Sequence, residues 1–179
     1  MSARRTFIFY SIIWMSGLVF SLTKGKLAGS VSPVVAGADL IIVLSAYLFL
    51  RGGVYQAGVF AFVQGLCMDV YSAGFEGLFV FLYLCSLGVV AIASGFIHLG
   101  NPRGQVLIVA MAWIAKEALF FVAVATLAGQ LAFSSAQPRT LALSFILSVV
   151  LAPVVFYFLD RLRLSIGLAK SHNGILQGH

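Results

Sequence analysis

Lys116 and Glu117 stand side by side about eleven residues into an apolar run, Asp69 lies near the end of another, and Asp39 lies near the start of a third. Ionised groups at the centre of a lipid-buried helix cost roughly 2.5–3.5 kcal/mol each, so neither Lys116 nor Glu117 belongs against lipid. Adjacent helical positions point about 100° apart, so the two do not simply neutralise each other and at least one must turn toward neighbouring segments. Such a pair can serve a structural polar cluster, a ligand or ion pathway, or a contact with a partner protein. Asp69 is a candidate partner for Lys116, although it lies nearer one end of its segment, where a water-exposed helix-end carboxylate is the plainer alternative. Asp39 reads as a helix-start carboxylate favoured by the dipole of the helix behind it.

Other chemistry finds no footing in the residue pattern. There is no nucleophile elbow, no phosphate loop and no His, Cys and carboxylate spacing for a metal, and the five carboxylates are dispersed along the chain. An enzyme, a catalytic residue, a cofactor and a metal are therefore not expected. Cys67 and Cys85 both fall inside apolar runs and read as small packing residues, with no disulfide framework implied. His98 ends an apolar segment and reads as interfacial, while His172 and His179 belong to the polar tail.

The elements that must position these groups are set by composition. Of 179 residues, 61% are hydrophobic and 9% charged, and the mean hydropathy of +1.08 excludes a soluble globular protein. Six apolar segments are expected, over about 7–22, from after Pro33 to Leu50, and over 54–70, 78–99, 106–127 and 141–159. They show no period-two alternation, so helices and not a barrel must satisfy the backbone in lipid. The expected fold is all-α, a polytopic membrane protein with six transmembrane helices in one bundle, a domain over 1–160 and a polar tail over 161–179. Arg4 and Arg5 before the first apolar run give the outline of a signal peptide, but no clear small-x-small site follows it, and an uncleaved first span is expected.

The stretch from Gly53 to Gly77 organises this reading. Gly53, Ala57, Ala61, Gly65 and Asp69 recur every fourth residue, a row of small side chains that lets another backbone come close. Gly88, Ala91 and Gly95 form a second row that could receive the first. Arg51-Gly52-Gly53 predicts a tight turn, and so does Asn101-Pro102-Arg103-Gly104; the linker before the last segment contains Pro138.

The net charge of +6 comes from basic residues scattered at segment ends and never clustered, which argues for topology and against nucleic acid. With six spans, seven Lys and Arg fall on the side of the two termini and three on the other. The positive-inside rule then puts both termini in the cytoplasm.

The run ADLIIVLSAYLFLRGGVYQAGVFAFVQGLCMDVYSAGFEGLFVFLYLCSLGVVAIAS resembles the bacterial rod shape-determining protein family MreD. In that family an Asp or Asn opens a long aliphatic helix, a short turn follows, and then a helix with Gly-xxx-Asp and a glycine-containing turn. Asp39, Gly65, Asp69, Gly74 and Gly77 match this pattern, and VLAPVVFYFLDRLR with Pro153 resembles the family's C-terminus. Ala38 departs from it, since Pro commonly precedes the acidic residue. The resemblance implies a non-enzymatic inner-membrane scaffold of lateral cell-wall elongation. It would bind MreC and with it link MreB filaments to RodA and a class B penicillin-binding transpeptidase, its other contacts being membrane lipid. The row of Ala57, Ala61 and Gly65 would then pack against the fourth segment or against a partner's span.

The family is also similar in fold to the S components of energy-coupling factor transporters, which makes a vitamin-like small-molecule binder the competing expectation. Those components carry an Ala-xxx-Ala row in their first helix for docking, and here only Gly17 and Ser21 offer a faint substitute.

Overall fold

The computed structural model describes residues 2–27, 39–72, 77–97, 102–128 and 137–166. Six helices account for nearly all of them: α1 (Ser2–Leu27), α2 (Leu40–Gly52), α3 (Val54–Ser72), α4 (Leu78–Ser94), α5 (Pro102–Ala128) and α6 (Gln137–Ser165). Gly74 and His98, with the two tail histidines, lie outside the described residues.

A helix that is apolar on every face can be enclosed by other helices or by lipid. The run of α2 is enclosed by protein, with every residue from Ile41 to Leu48 buried. Each of the other five helices packs on α2, and α1–α3, α3–α4, α4–α5 and α5–α6 pack on one another, the α3–α4 contact being the most extensive. The bundle is therefore an arc around a central helix. Aromatic pairs tie the arc to its axis: Tyr47 of α2 lies 6.4 Å from Phe9 and 5.5 Å from Phe156, centroid to centroid.

The all-α six-helix bundle forms as the composition predicts, but the helices are unequal. Three are long and apolar enough to cross a membrane, over Arg4–Thr23, Arg103–Thr126 and Arg139–Ser165. Helix α2 has 13 residues and so measures about 20 Å against a hydrocarbon core of about 30 Å. Its short length sets Asp39 at depth inside the bundle and not at its surface.

Turn chemistry explains most boundaries. Gly53, at φ 93°, ends α2 in a conformation that favours glycine, and its N–H donates to the carbonyls of Leu48 and Phe49 at 3.1 and 3.2 Å. Pro102 and Pro138 do not break the chain as expected from composition; each sits in the first turn of its helix, where a missing N–H costs nothing. Helix α6 also runs past Asp160 to Ser165, so the first residues of the expected tail are helical.

Candidate functional site

Two polar constructions lie within the bundle. The first clamps α3 to α4. Gly65 approaches the α4 backbone so closely that a Cβ built on it would sit 2.6 Å from Val80 Cα, a distance no side chain tolerates. One turn later on the same face, the Asp69 carboxylate accepts the N–H of Phe79 at 2.8 Å and of Val80 at 3.1 Å. These amides belong to the first turn of α4, whose donors have no partner within the helix and carry the positive end of its dipole. Gly77, at φ 84°, enters α4 through the left-handed region. The Gly-xxx-Asp spacing thus does two things at one place: the glycine removes the side chain that would hold α4 away, and the aspartate caps the helix brought near. Ala57 and Ala61, earlier on the row, have no exposed surface.

The second construction joins four helices around Asp39. Its carboxylate is fully buried, and Lys116 Nζ of α5 lies 2.9 Å from Oδ2. The Tyr83 hydroxyl of α4 donates from 3.2 Å to the same carboxylate, and the Asp39 N–H donates to Ser148 Oγ of α6 at 3.1 Å. Lys116 also pairs with Glu117 at 2.7 Å, and Glu117 is the more exposed of the two. One ammonium is therefore shared by two carboxylates. Trp113, one turn before Glu117, is buried against Phe145 with its indole nitrogen unpartnered among the described residues.

Lys116 thus does not meet Asp69, the partner considered for it from sequence. Asp69 is occupied by the α4 amides, and the central position of α2 brings Asp39 to Lys116 instead. Asp39 stands at the start of α2 as expected but makes no side-chain cap to that helix; its charge faces the lysine. Glu117 does join Lys116, so the two neighbours pair despite the angle between them. Nor does the Gly88, Ala91 and Gly95 row receive the first one. Gly88 has open space where a Cβ would be, Gly95 is exposed, and α4 turns Leu82, Tyr83, Ser86, Leu87, Val90 and Ala93 inward instead.

Tyr83 and Ser148 escaped the sequence reading. Their signals were present: a hydroxyl-bearing ring amid the aliphatics of α4, and the Ser144/Ser148 pair one turn apart in α6. Gln64 was missed too; it is fully buried, and its Oε1 accepts the Ser21 hydroxyl of α1 at 2.9 Å. Gly17 faces the same place, where an added Cβ would fall 2.8 Å from Phe60 and 2.9 Å from the Gln64 amide. Gly17 and Ser21 of α1 therefore look into the bundle.

The family model for the rod shape-determining protein MreD matches residues 5–162, which includes both constructions and reaches into all six helices. The chain belongs to the MreD family. No curated protein and no solved structure matches it. The likeness to transporter S components consequently rests on the family resemblance alone. As an MreD-family chain it is a polytopic inner-membrane protein of the rod-shape machinery and not an enzyme. Among the described residues no group of His, Cys, Asp and Glu could hold a metal ion. In an MreD-family protein the Asp39 cluster and the Gly65/Asp69 clamp are best understood as devices that fix helix positions.

Proposed function

We propose that this chain is a scaffold of lateral cell-wall elongation that binds MreC and, through it, links MreB to RodA and a class B penicillin-binding transpeptidase. The observation that carries this reading is that the deep charges of the bundle are satisfied internally. Lys116, Asp39 and Asp69 all have partners within the chain, so the outward surfaces at membrane depth are apolar, with Phe81, Ile92, Val150 and Val154 exposed. Such surfaces engage other transmembrane helices by packing. On this reading Gly65 serves the internal α3–α4 contact, Ala57 and Ala61 are buried within the bundle, and a partner span uses an outward face. The excess of basic residues on the terminal side supports both termini in the cytoplasm, where MreB would be met.

The inward orientation of Gly17 and Ser21 disfavours the S-component alternative, which needs a docking row on α1. A crosslinking pull-down of the tagged chain from native membranes, read by protein and small-molecule mass spectrometry, tests the proposal. MreC with elongation enzymes is the expected catch. A stoichiometric vitamin-like metabolite in the absence of MreC would overturn it.

A further inference from the structure

The arc of helices leaves one seam. Helices α1 and α6 both pack on α2, yet among the described residues they do not close on each other as the other neighbours do. At the end of the bundle that holds the start of α1 and the ends of α2 and α6, the seam opens into a cavity of about 190 Å³. Thr6, Tyr10, Tyr47, Arg51 and Arg163 supply its polar lining, with Phe9 as an apolar wall.

The charges here do not balance. Arg51 Nη2 lies 2.6 Å from Asp160 Oδ2, and the other oxygen of that carboxylate accepts the Tyr47 hydroxyl at 3.1 Å. Asp160 is thereby committed. Arg163, half-buried and lining the same cavity, has no ion pair among the described residues. Two guanidiniums around one carboxylate leave an excess positive charge at a concave polar site. A planar fork of donors of this kind matches a phosphate group.

A second groove, of about 230 Å³, meets the cavity at Tyr10 and Leu48 and continues on the other side of α1, between Trp14 and Tyr55, Gln56 and Val59 of α3. Its lining is mainly apolar. A phosphate-bearing head beside an apolar channel is the outline of a phospholipid. We propose that the polar cavity between α1, α2 and α6 binds one anionic phospholipid, its phosphate held by Arg163 and Arg51 and part of an acyl chain lying in the adjoining groove between α1 and α3. The negative charge of the cytoplasmic leaflet would supply such lipids if this basic end faces the cytoplasm.

The test uses the full chain in nanodiscs of phosphatidylcholine alone or with phosphatidylglycerol, read by thermal unfolding and by native mass spectrometry of retained lipid. Phosphatidylglycerol should raise the unfolding temperature and be retained one per chain. Arg163→Ala should weaken retention about tenfold or more, because charge-assisted hydrogen bonds are lost. Arg161→Ala, which removes the same charge from an exposed neighbour, should leave retention unchanged. Equal protection by phosphatidylcholine overturns the proposal, as does equal loss in the two variants. Protection of the detergent-solubilised chain by inorganic phosphate, with no gain from the lipid, would assign the site to a free anion and overturn the lipid. Should Arg163→Ala fail to fold, the comparison of the two lipids on the unmodified chain still decides.

Discussion

Asp69 and Asp39 are both carboxylates near helix ends, but their partners lie at different distances along the chain. The two acceptors of Asp69 are met ten and eleven residues further on, by the amides that open the next helix. The partners of Asp39 are 44, 77 and 109 residues away, on α4, α5 and α6. A hairpin of α3 and α4 is enough to satisfy the first. The second is satisfied only when four helices have assembled, so it reports on the whole bundle. The contrast teaches that a buried charge can secure either one helix-helix contact or the global arrangement, depending on where its counter-charge sits in the sequence.

The sharpest way to break the comparison is to remove Lys116. Lys116→Met leaves Asp39 buried without its cation and should destabilise the bundle by about 3–5 kcal/mol. The triple variant Asp39→Asn, Lys116→Met and Glu117→Gln should recover most of that loss, since neither carboxylate is then left without the shared cation. Thermal unfolding in detergent measures both, and a single variant as stable as the parent would dismiss the ion pair as a structural element.

Next in size is the clamp. Gly65→Ala forces a methyl group against the Val80 backbone and should cost about 1–3 kcal/mol. Gly88→Ala, in open space on α4, should instead stabilise by up to about 1 kcal/mol through helix propensity. Opposite signs at these two glycines would confirm which row faces inward; equal signs would refute the assignment.

Asp69→Ala should cost about 1–2 kcal/mol, as for loss of a helix cap, with Asp69→Asn between it and the parent. Amide exchange localises the effect: the first turn of α4 should lose protection while α5 and α6 keep theirs. Spread of the loss to α5 would mean that Asp69 acts globally, as Asp39 does. The smallest change is expected from Arg51→Ala. Its pair with Asp160 is 44% and 36% exposed, so no more than about 1 kcal/mol is at stake in thermal stability.

Much of this molecule was readable from the chain alone. The largely aliphatic run of α2 was visible as an apolar segment, while its enclosure by the other five helices was not. The turn at Gly53 and the spacing of Gly65 and Asp69 were also visible, because helix pitch fixes which residues share a face over one or two turns. The role of that spacing was only half apparent. Sequence showed that a backbone could come close, whereas the capping of α4 by Asp69 depends on the connection between the helices bringing the Phe79 and Val80 amides to the carboxylate.

Beyond that range the sequence lost its grip. Lys116 could be seen to need a partner, but the candidate was Asp69, and meeting Asp39 instead depends on the central position and short length of α2. The outward turn of Gly88 depends on the rotation of α4 about its own axis, which is set by burying Tyr83 and Val90 and not by the glycines. Composition and local periodicity determined that six helices form and which groups could not face lipid, since both follow from transfer free energies and helix geometry. Which helix stands at the centre, which charges meet and where the arc stays open were decided by tertiary packing alone, because those depend on contacts between residues tens of positions apart.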